Sequence, residues 1–179
     1  MNSVQAQSFR YFWDFAEPNS SLARERFHPN GDYPLKDSHI ITSGDSGFGL
    51  MNILVGIKRG FVIREAGIGR LHQIADFLKT ADRFHGVWPP WINGITGKVK
   101  PCSKKDDGGD LVKTSFLAQG LICVRQFCDT TNVQEKVLAH KVNQLWEEIE
   151  WSWYTQGNNQ LFWHRSPSSQ FLSPCKDGL

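Results

Sequence analysis

The sequence predicts an all-α fold built of antiparallel helical hairpins, and three observations carry that prediction. Apolar residues recur at helical spacing in five separate stretches and almost nowhere at strand spacing. The stretches alternate between segments apolar nearly all round and segments with one wet face. The connections between them alternate between short and long.

Taken in order, Phe9, Phe12, Trp13 and Ala16 mark a first helix that stops at Glu17-Pro18, since proline cannot continue it. A loop rich in Gly, Pro, Ser and charge runs from Asn19 to about Asp45. From Gly47 to Ile57 nearly every residue is apolar, as in a helix buried on every side, and the length argues against a strand. Ile68, Leu71, Ile74, Ala75, Leu78 and Ala81 line one face of the next helix, with Arg70, Gln73, Asp76 and Lys79 opposite. A second long loop spans Phe84 to Asp107. Leu111 to Val124 is again mostly apolar, and Leu138, Val142, Leu145, Trp146 and Ile149 make a final amphipathic helix.

The order is therefore outer, inner, outer, inner, outer. Short connections around Lys58 to Val62 and Asp129 to Asn132 join inner to outer helices, and the long segments, with Ser152 onward as the third, join outer to inner. Alternate connections of antiparallel hairpins lie at the same end, so the three long segments are expected to share one rim. A toroid of paired helices fits this better than a helical-repeat solenoid, which would show self-similar pairs with short loops on both edges.

Composition narrows the function classes. A chain of 179 residues with 40% hydrophobic content can bury one core, as a single domain or as part of a larger one. The net charge of +2 leaves no basic stripe for nucleic acid or a membrane surface. Cys102, Cys123, Cys128 and Cys175 have neither C-x-x-C nor zinc-finger spacing. Residues Met1 to Ser8 lack an apolar signal core, and no run is long enough to span a bilayer.

The expected rim is rich in chemistry. The first loop supplies Arg24, Arg26, His28 and Asp32, and the second supplies His85, Trp88 and Trp91 before ending in Lys105-Asp106-Asp107-Gly108-Gly109-Asp110. The third supplies Trp153, Tyr154, Trp163 and His164. Aromatic platforms beside carboxylates and guanidinium groups suit a carbohydrate, through stacking on the sugar face and charged hydrogen bonds to hydroxyls. Glycoside hydrolysis uses two carboxyl groups flanking the scissile bond. Asp106 and Asp110, at i and i+4, would stand roughly 6 Å apart on one helix face, so at most one is a catalytic partner and the other orients substrate or water.

Plainer roles compete at each position. An Asp-rich turn opening a helix also serves as an N-cap, although Gly108-Gly109 would let backbone amides approach a ligand. Calcium binding by Asp106, Asp107 and Asp110 lacks the EF-hand spacing. Trp13 and Trp146 sit on apolar stripes and read as core, whereas Trp88, Trp91 and Trp163 lie in loops beside Pro or His. His85 and His164 have no partner His at ligand spacing, so no metal and no cofactor are expected. Glu147, Glu148 and Glu150 read as solvated.

Several ordered motifs resemble the bacterial glycoamylase-like domain family, which includes the endo-β-1,2-glucanases of glycoside hydrolase family 144. They are Tyr-Phe-Trp-Asp-Phe-Ala from Tyr11, Gly-Phe-Gly-Leu from Gly47, Arg-Phe-His-Gly from Arg83 and Trp-Ile-Asn-Gly-x-Thr-Gly-Lys from Trp91. Further along come Lys-Asp-Asp-Gly-Gly-Asp-Leu-Val from Lys105, Glu-Trp-x-Trp-Tyr-Thr-Gln-Gly from Glu150 and Trp-His-x-Ser-Pro from Trp163. The match covers about Phe9 to Pro167. It implies the N-terminal half of an (α/α)6 toroid, a cleft for β-1,2-glucan with Asp106 and Asp110 in the acidic motif, and a periplasmic or envelope location.

Two departures follow. Lys113 stands where the family reads Glu, and a lysine there is expected to pair with Asp106 or Asp110 and depress its pKa. After Pro167 the chain leaves the family pattern, so residues 1–167 are read as the domain part and 168–179 as a divergent tail, and the Glu that the family carries further on has no counterpart. This polypeptide alone is thus expected to be catalytically incomplete. The rival expectation is a non-catalytic carbohydrate-binding or interaction module. An open half-toroid would expose apolar inner-helix faces and self-associate.

Overall fold

The computed structural model describes residues 2–35, 37–103, 106–167 and 170–171. Five helices account for about half of them: α1 (Asn2–Asp14), α2 (Ser43–Arg59), α3 (Arg64–Thr80), α4 (Leu111–Phe127) and α5 (Val133–Glu147). The all-α prediction holds, as a partial toroid with short strands confined to loops. These strands are β1 (Ile40–Thr42), β2 (Trp91–Asn93), β3 (Gly109–Asp110), β4 (His164–Ser166) and β5 (Gln170–Phe171), and a 3-10 turn covers Trp151–Thr155.

The two layers predicted from patterning are present. α2 and α4 pack against each other most extensively and form the inner layer, while α1 lies on α2, and α3 and α5 pack together outside. Glycine makes the inner contact possible. A Cβ on Gly47 would fall 2.1 Å from the Phe116 carbonyl oxygen, and one on Gly120 would fall 2.6 Å from that of Gly47, so the two backbones touch. α1 is seated similarly, its Phe9 ring filling the notch at Gly56, where a Cβ would meet it at 2.2 Å. Between the layers Ile53, Leu71, Ile74, Leu78, Leu117, Leu121, Leu138 and Val142 are buried. Trp13 and Trp146, read as core, are partly buried against this cluster.

The inner helices differ from expectation in one respect. They are not buried on every side: Phe48 and Val55 on α2, and Val112 and Phe116 on α4, are exposed, with the Phe48 and Phe116 rings 5.5 Å apart. The outer helices cover one side of the inner layer, and on the other these four apolar side chains stay partly open to solvent. No described helix is long and apolar enough to cross a membrane.

The three long segments meet at one rim, where two small sheets stitch them together. β1 of the first pairs with β2 of the second, Thr42 opposite Trp91, and β3 of the second pairs with β4 of the third, Asp110 opposite His164. The Ser43 hydroxyl donates to the Pro89 carbonyl at 2.9 Å, which ties the start of α2 to the same rim. β5 pairs with β4 beyond the boundary expected at residue 167. The remainder of the expected tail, with Cys175, lies outside the described residues, as does Lys105 of the acidic turn.

Candidate functional site

The site is built where the second long segment turns into α4. Asp110 is the N-cap of that helix, and its Oδ1 accepts the Lys113 backbone N–H at 2.8 Å. The helix begins at Leu111, so the i, i+4 geometry expected for Asp106 and Asp110 on one helix does not arise. Asp106 instead closes a turn with Ser103, while β3 carries Asp110 alongside His164. The sheet and the turn still bring the acids together. His164 Nε2 stands 3.9 Å from Asp106 Oδ1, and the charges of both Asp106 and His164 act on Asp110.

Asp110 is 7% exposed. Burial raises its pKa above the ordinary carboxylate value, because a charged form in low dielectric loses hydration. The Lys113 amide and the Trp163 indole, whose Nε1 donates to Oδ2 at 3.3 Å, pull the other way and are outweighed. This corrects the expectation for Lys113: the residue gives Asp110 its backbone amide, and the carboxyl is raised rather than depressed. A carboxyl whose pKa is raised in this way is shifted in the direction that general acid catalysis needs.

Other expected site residues divide between rim surface and support. Trp163 is 51% exposed beside Asp110, and Trp91 is half-buried on β2. His85 stacks on Trp153 with ring centroids 3.6 Å apart, and its Nδ1 lies 3.0 Å from Glu150 Oε2. The Arg24 guanidinium lies over the Tyr33 ring at 4.3 Å and donates to the Ser38 carbonyl, fixing the first loop.

Trp88 and Tyr154 are corrected to the interior. Trp88 has no exposed surface, its Nε1 donates to the Leu78 carbonyl at 3.2 Å, and Arg83 lies over its ring. Its own carbonyl accepts the Asp110 N–H at 3.0 Å, so it is the shelf on which the turn rests. Tyr154 is equally buried and donates to the Phe84 carbonyl at 2.7 Å, with burial pushing its phenol pKa up. Asp107 accepts a hydrogen bond from the Ser166 hydroxyl and fastens the turn to β4.

The two glycines serve that fastening as well. A Cβ on Gly108 would lie 1.9 Å from the Arg165 carbonyl oxygen and one on Gly109 would lie 2.5 Å from the Tyr154 hydroxyl, so the space expected for a ligand is filled by the chain itself. Of the glutamates read as solvated, Glu148 pairs with Arg83 at 2.6 Å and Glu150 with His85.

Three residues escaped the sequence reading. Trp151 and Leu161 join Trp163 in walling a cavity beside Asp110; nothing in a 3-10 turn of aromatic residues announces which face is open. Cys102 packs near Asp106, and burial pushes its thiol up to about 12, so it stays protonated. Among the described residues no group of three or more His, Cys, Asp or Glu is placed to hold a metal ion.

No family model matches the chain. The exo-β-1,2-glucooligosaccharide sophorohydrolase of Parabacteroides distasonis is 45% identical over 175 residues, which are 96% of this chain and 23% of that protein. An endo-β-1,2-glucanase from Chitinophaga pinensis, solved with sophorotriose and glucose, superposes with a TM-score of 0.91 at 57% identity, over 94% of this chain and 40% of that one. A β-1,2-glucanase structure from Parabacteroides distasonis gives a TM-score of 0.85 at 45% identity, over 94% of this chain and 24% of that one. Over nearly its whole length the chain is thus similar to β-1,2-glucanases, and it spans less than half the length of these relatives.

Proposed function

We propose that the chain supplies one wall of a β-1,2-glucan cleft in a glycoside hydrolase-like domain, with Asp110 as its general acid. The observation that carries this reading is the buried Asp110 carboxyl, held at a helix start by two neutral donors with its pKa raised, beneath an exposed indole at a rim shared by three loops. In the proposed reaction Asp110 protonates the glycosidic oxygen as the bond to the anomeric carbon breaks. Asp106, next to His164, orients substrate or water. Trp91, Trp163 and His164 contact sugar, and Arg24, His85, Asp107, Trp153, Tyr154 and Trp88 hold the rim in shape. The relatives' action on β-1,2-linked glucans supports the choice of ligand.

Hydrolysis needs a second carboxyl across the bond, and Asp106, set beside His164 and acting on Asp110, is assigned to orienting rather than to that part. The polypeptide by itself is therefore expected to bind β-1,2-glucooligosaccharides without shortening them, as a binding module would. Calorimetry with sophorotriose and chromatography of linear β-1,2-glucan after incubation test this together. Absence of binding sinks the glucan reading, and rapid cleavage sinks the incompleteness. The exposed Phe48, Val55, Val112 and Phe116 face further leads us to expect self-association. Sedimentation velocity should show dimers or larger species that F48S/F116S reduces; a monomer at all concentrations rejects it.

A further inference from the structure

The cavity beside Asp110 has a volume of about 270 Å³ and is walled by Leu111, Val112, Ser115, Trp151, Leu161 and Trp163 among others. Trp163 belongs to two structures at once. Its ring forms part of the cavity wall, and its Nε1 donates to Asp110 Oδ2 at 3.3 Å. The backbone ties the pair further, since the Leu111 N–H donates to the Trp163 carbonyl at 2.8 Å. An object that presses on this indole therefore presses on the carboxyl.

The lining selects the occupant's chemistry. Most of the named walls are apolar or aromatic, and the Ser115 hydroxyl donates its proton to the Val112 carbonyl at 2.7 Å, leaving only oxygen lone pairs to face a ligand. A β-glucopyranose ring fits such a slot. Its equatorial hydroxyls radiate in the ring plane and leave two C–H faces, which stack on indole. The volume lies near the small end of ligand cavities and suits one ring rather than a chain.

We propose that this cavity is a subsite for one glucosyl ring and that Trp163 is a positioning residue that links its occupancy to the Asp110 carboxyl. The inference rests on the glucan reading above and adds to it a place for one sugar unit and a physical link to the acid. The indole N–H is a donor to the ionised carboxylate, so it holds back the rise in pKa that burial causes. A ring seated against Trp163 removes water from the same carboxyl and moves the indole, and both changes favour the protonated acid when substrate is bound.

The test is NMR and calorimetry on the full chain. The Trp163 indole N–H cross-peak is identified by its loss in W163F, and the Asp110 carboxyl carbon by its loss in D110N. In the free chain, W163F should move the Asp110 titration midpoint upward, because a donor to the charged form is gone; an unchanged midpoint overturns the link. Sophorotriose should shift the Trp163 indole peak. V112W, which fills the cavity, should weaken sophorotriose binding by about tenfold, the worth of roughly one aromatic stacking contact. Binding with an unmoved indole peak and an unchanged V112W affinity overturns the subsite and leaves the glucan reading standing. No binding by the wild-type chain overturns both.

Discussion

Asp110 and Glu135 open the two helices of a single hairpin, α4 and α5, and are almost equally hidden from water, at 7% and 4% exposure. Their ionisation runs in opposite directions. At the end away from the rim, Glu135 accepts both arms of the Arg64 guanidinium at 2.6 Å and the Asp129 N–H at 2.7 Å, and its pKa is lowered chiefly by Arg64. Asp110 accepts hydrogen bonds from two neutral donors, one amide and one indole, and burial raises it. Glu17 shows what a larger set of donors does. It is fully buried, yet the Ser20 amide and the side chains of Asn19, Ser20 and His39 lower its pKa. The difference teaches how to tell a carboxylate that holds the fold from one set to exchange a proton: the second is buried with too few partners.

The largest effect that tests this contrast is expected at Arg64. R64A leaves Glu135 charged and hidden with a single backbone donor. Losing one partner of a fully buried pair costs about 3–5 kcal/mol; Arg64 is 43% exposed, so the expected loss is nearer about 2 kcal/mol. Urea unfolding at pH 7 measures it. Because the folded pKa of Glu135 is depressed, its contribution is present above the unfolded value and fades as pH falls through the folded one. The R64A deficit should shrink accordingly in acid. A deficit below about 0.5 kcal/mol at pH 7, within the range of ordinary surface substitutions, would mean that Glu135 needs no cation and that the contrast with Asp110 has another origin.

The layers and the shared rim were legible in the sequence because they depend on local periodicity and on loop length. The helix order, the outer-inner alternation and the acidic turn at the head of α4 all follow from residues close in the chain. α1 begins at Asn2 rather than near Phe9 because its first turns are polar and carry no apolar stripe to read. The parts that were not legible depend on partners far away in the chain. Trp88 looks like a loop aromatic beside proline, and only the packing of α3 and α4 around it makes it core. Gly108 and Gly109 look like a ligand cradle until β4 and Tyr154, more than 40 residues on, occupy the space. Lys113 reads as a cation in an acidic turn, yet what Asp110 uses is an amide that any residue but proline would bring.

A smaller effect, of opposite sign, is expected at Asp110 itself. D110N keeps a side-chain oxygen for the Lys113 amide, and asparagine caps helices about as well as aspartate. What it removes is a charge that burial opposes. The variant should therefore be more stable than the parent at pH 7, by about 1 kcal/mol, as is common when a residue kept for function rather than stability is replaced. The sign follows from the raised folded pKa: the wild-type protein is penalised once pH rises through that value, and the penalty vanishes as pH falls toward the unfolded carboxyl value of about 3.9. Thermal melts of D110N at pH 7 and pH 4 should show the advantage at the first and its loss at the second. E135Q should be less stable than the parent at pH 7 and should also approach it in acid, so the two variants converge on the wild type from opposite sides. A D110N protein that melts below the parent at pH 7 would show that Asp110 is held for the fold, as Glu135 is, and would remove the main ground for assigning it the acid's role.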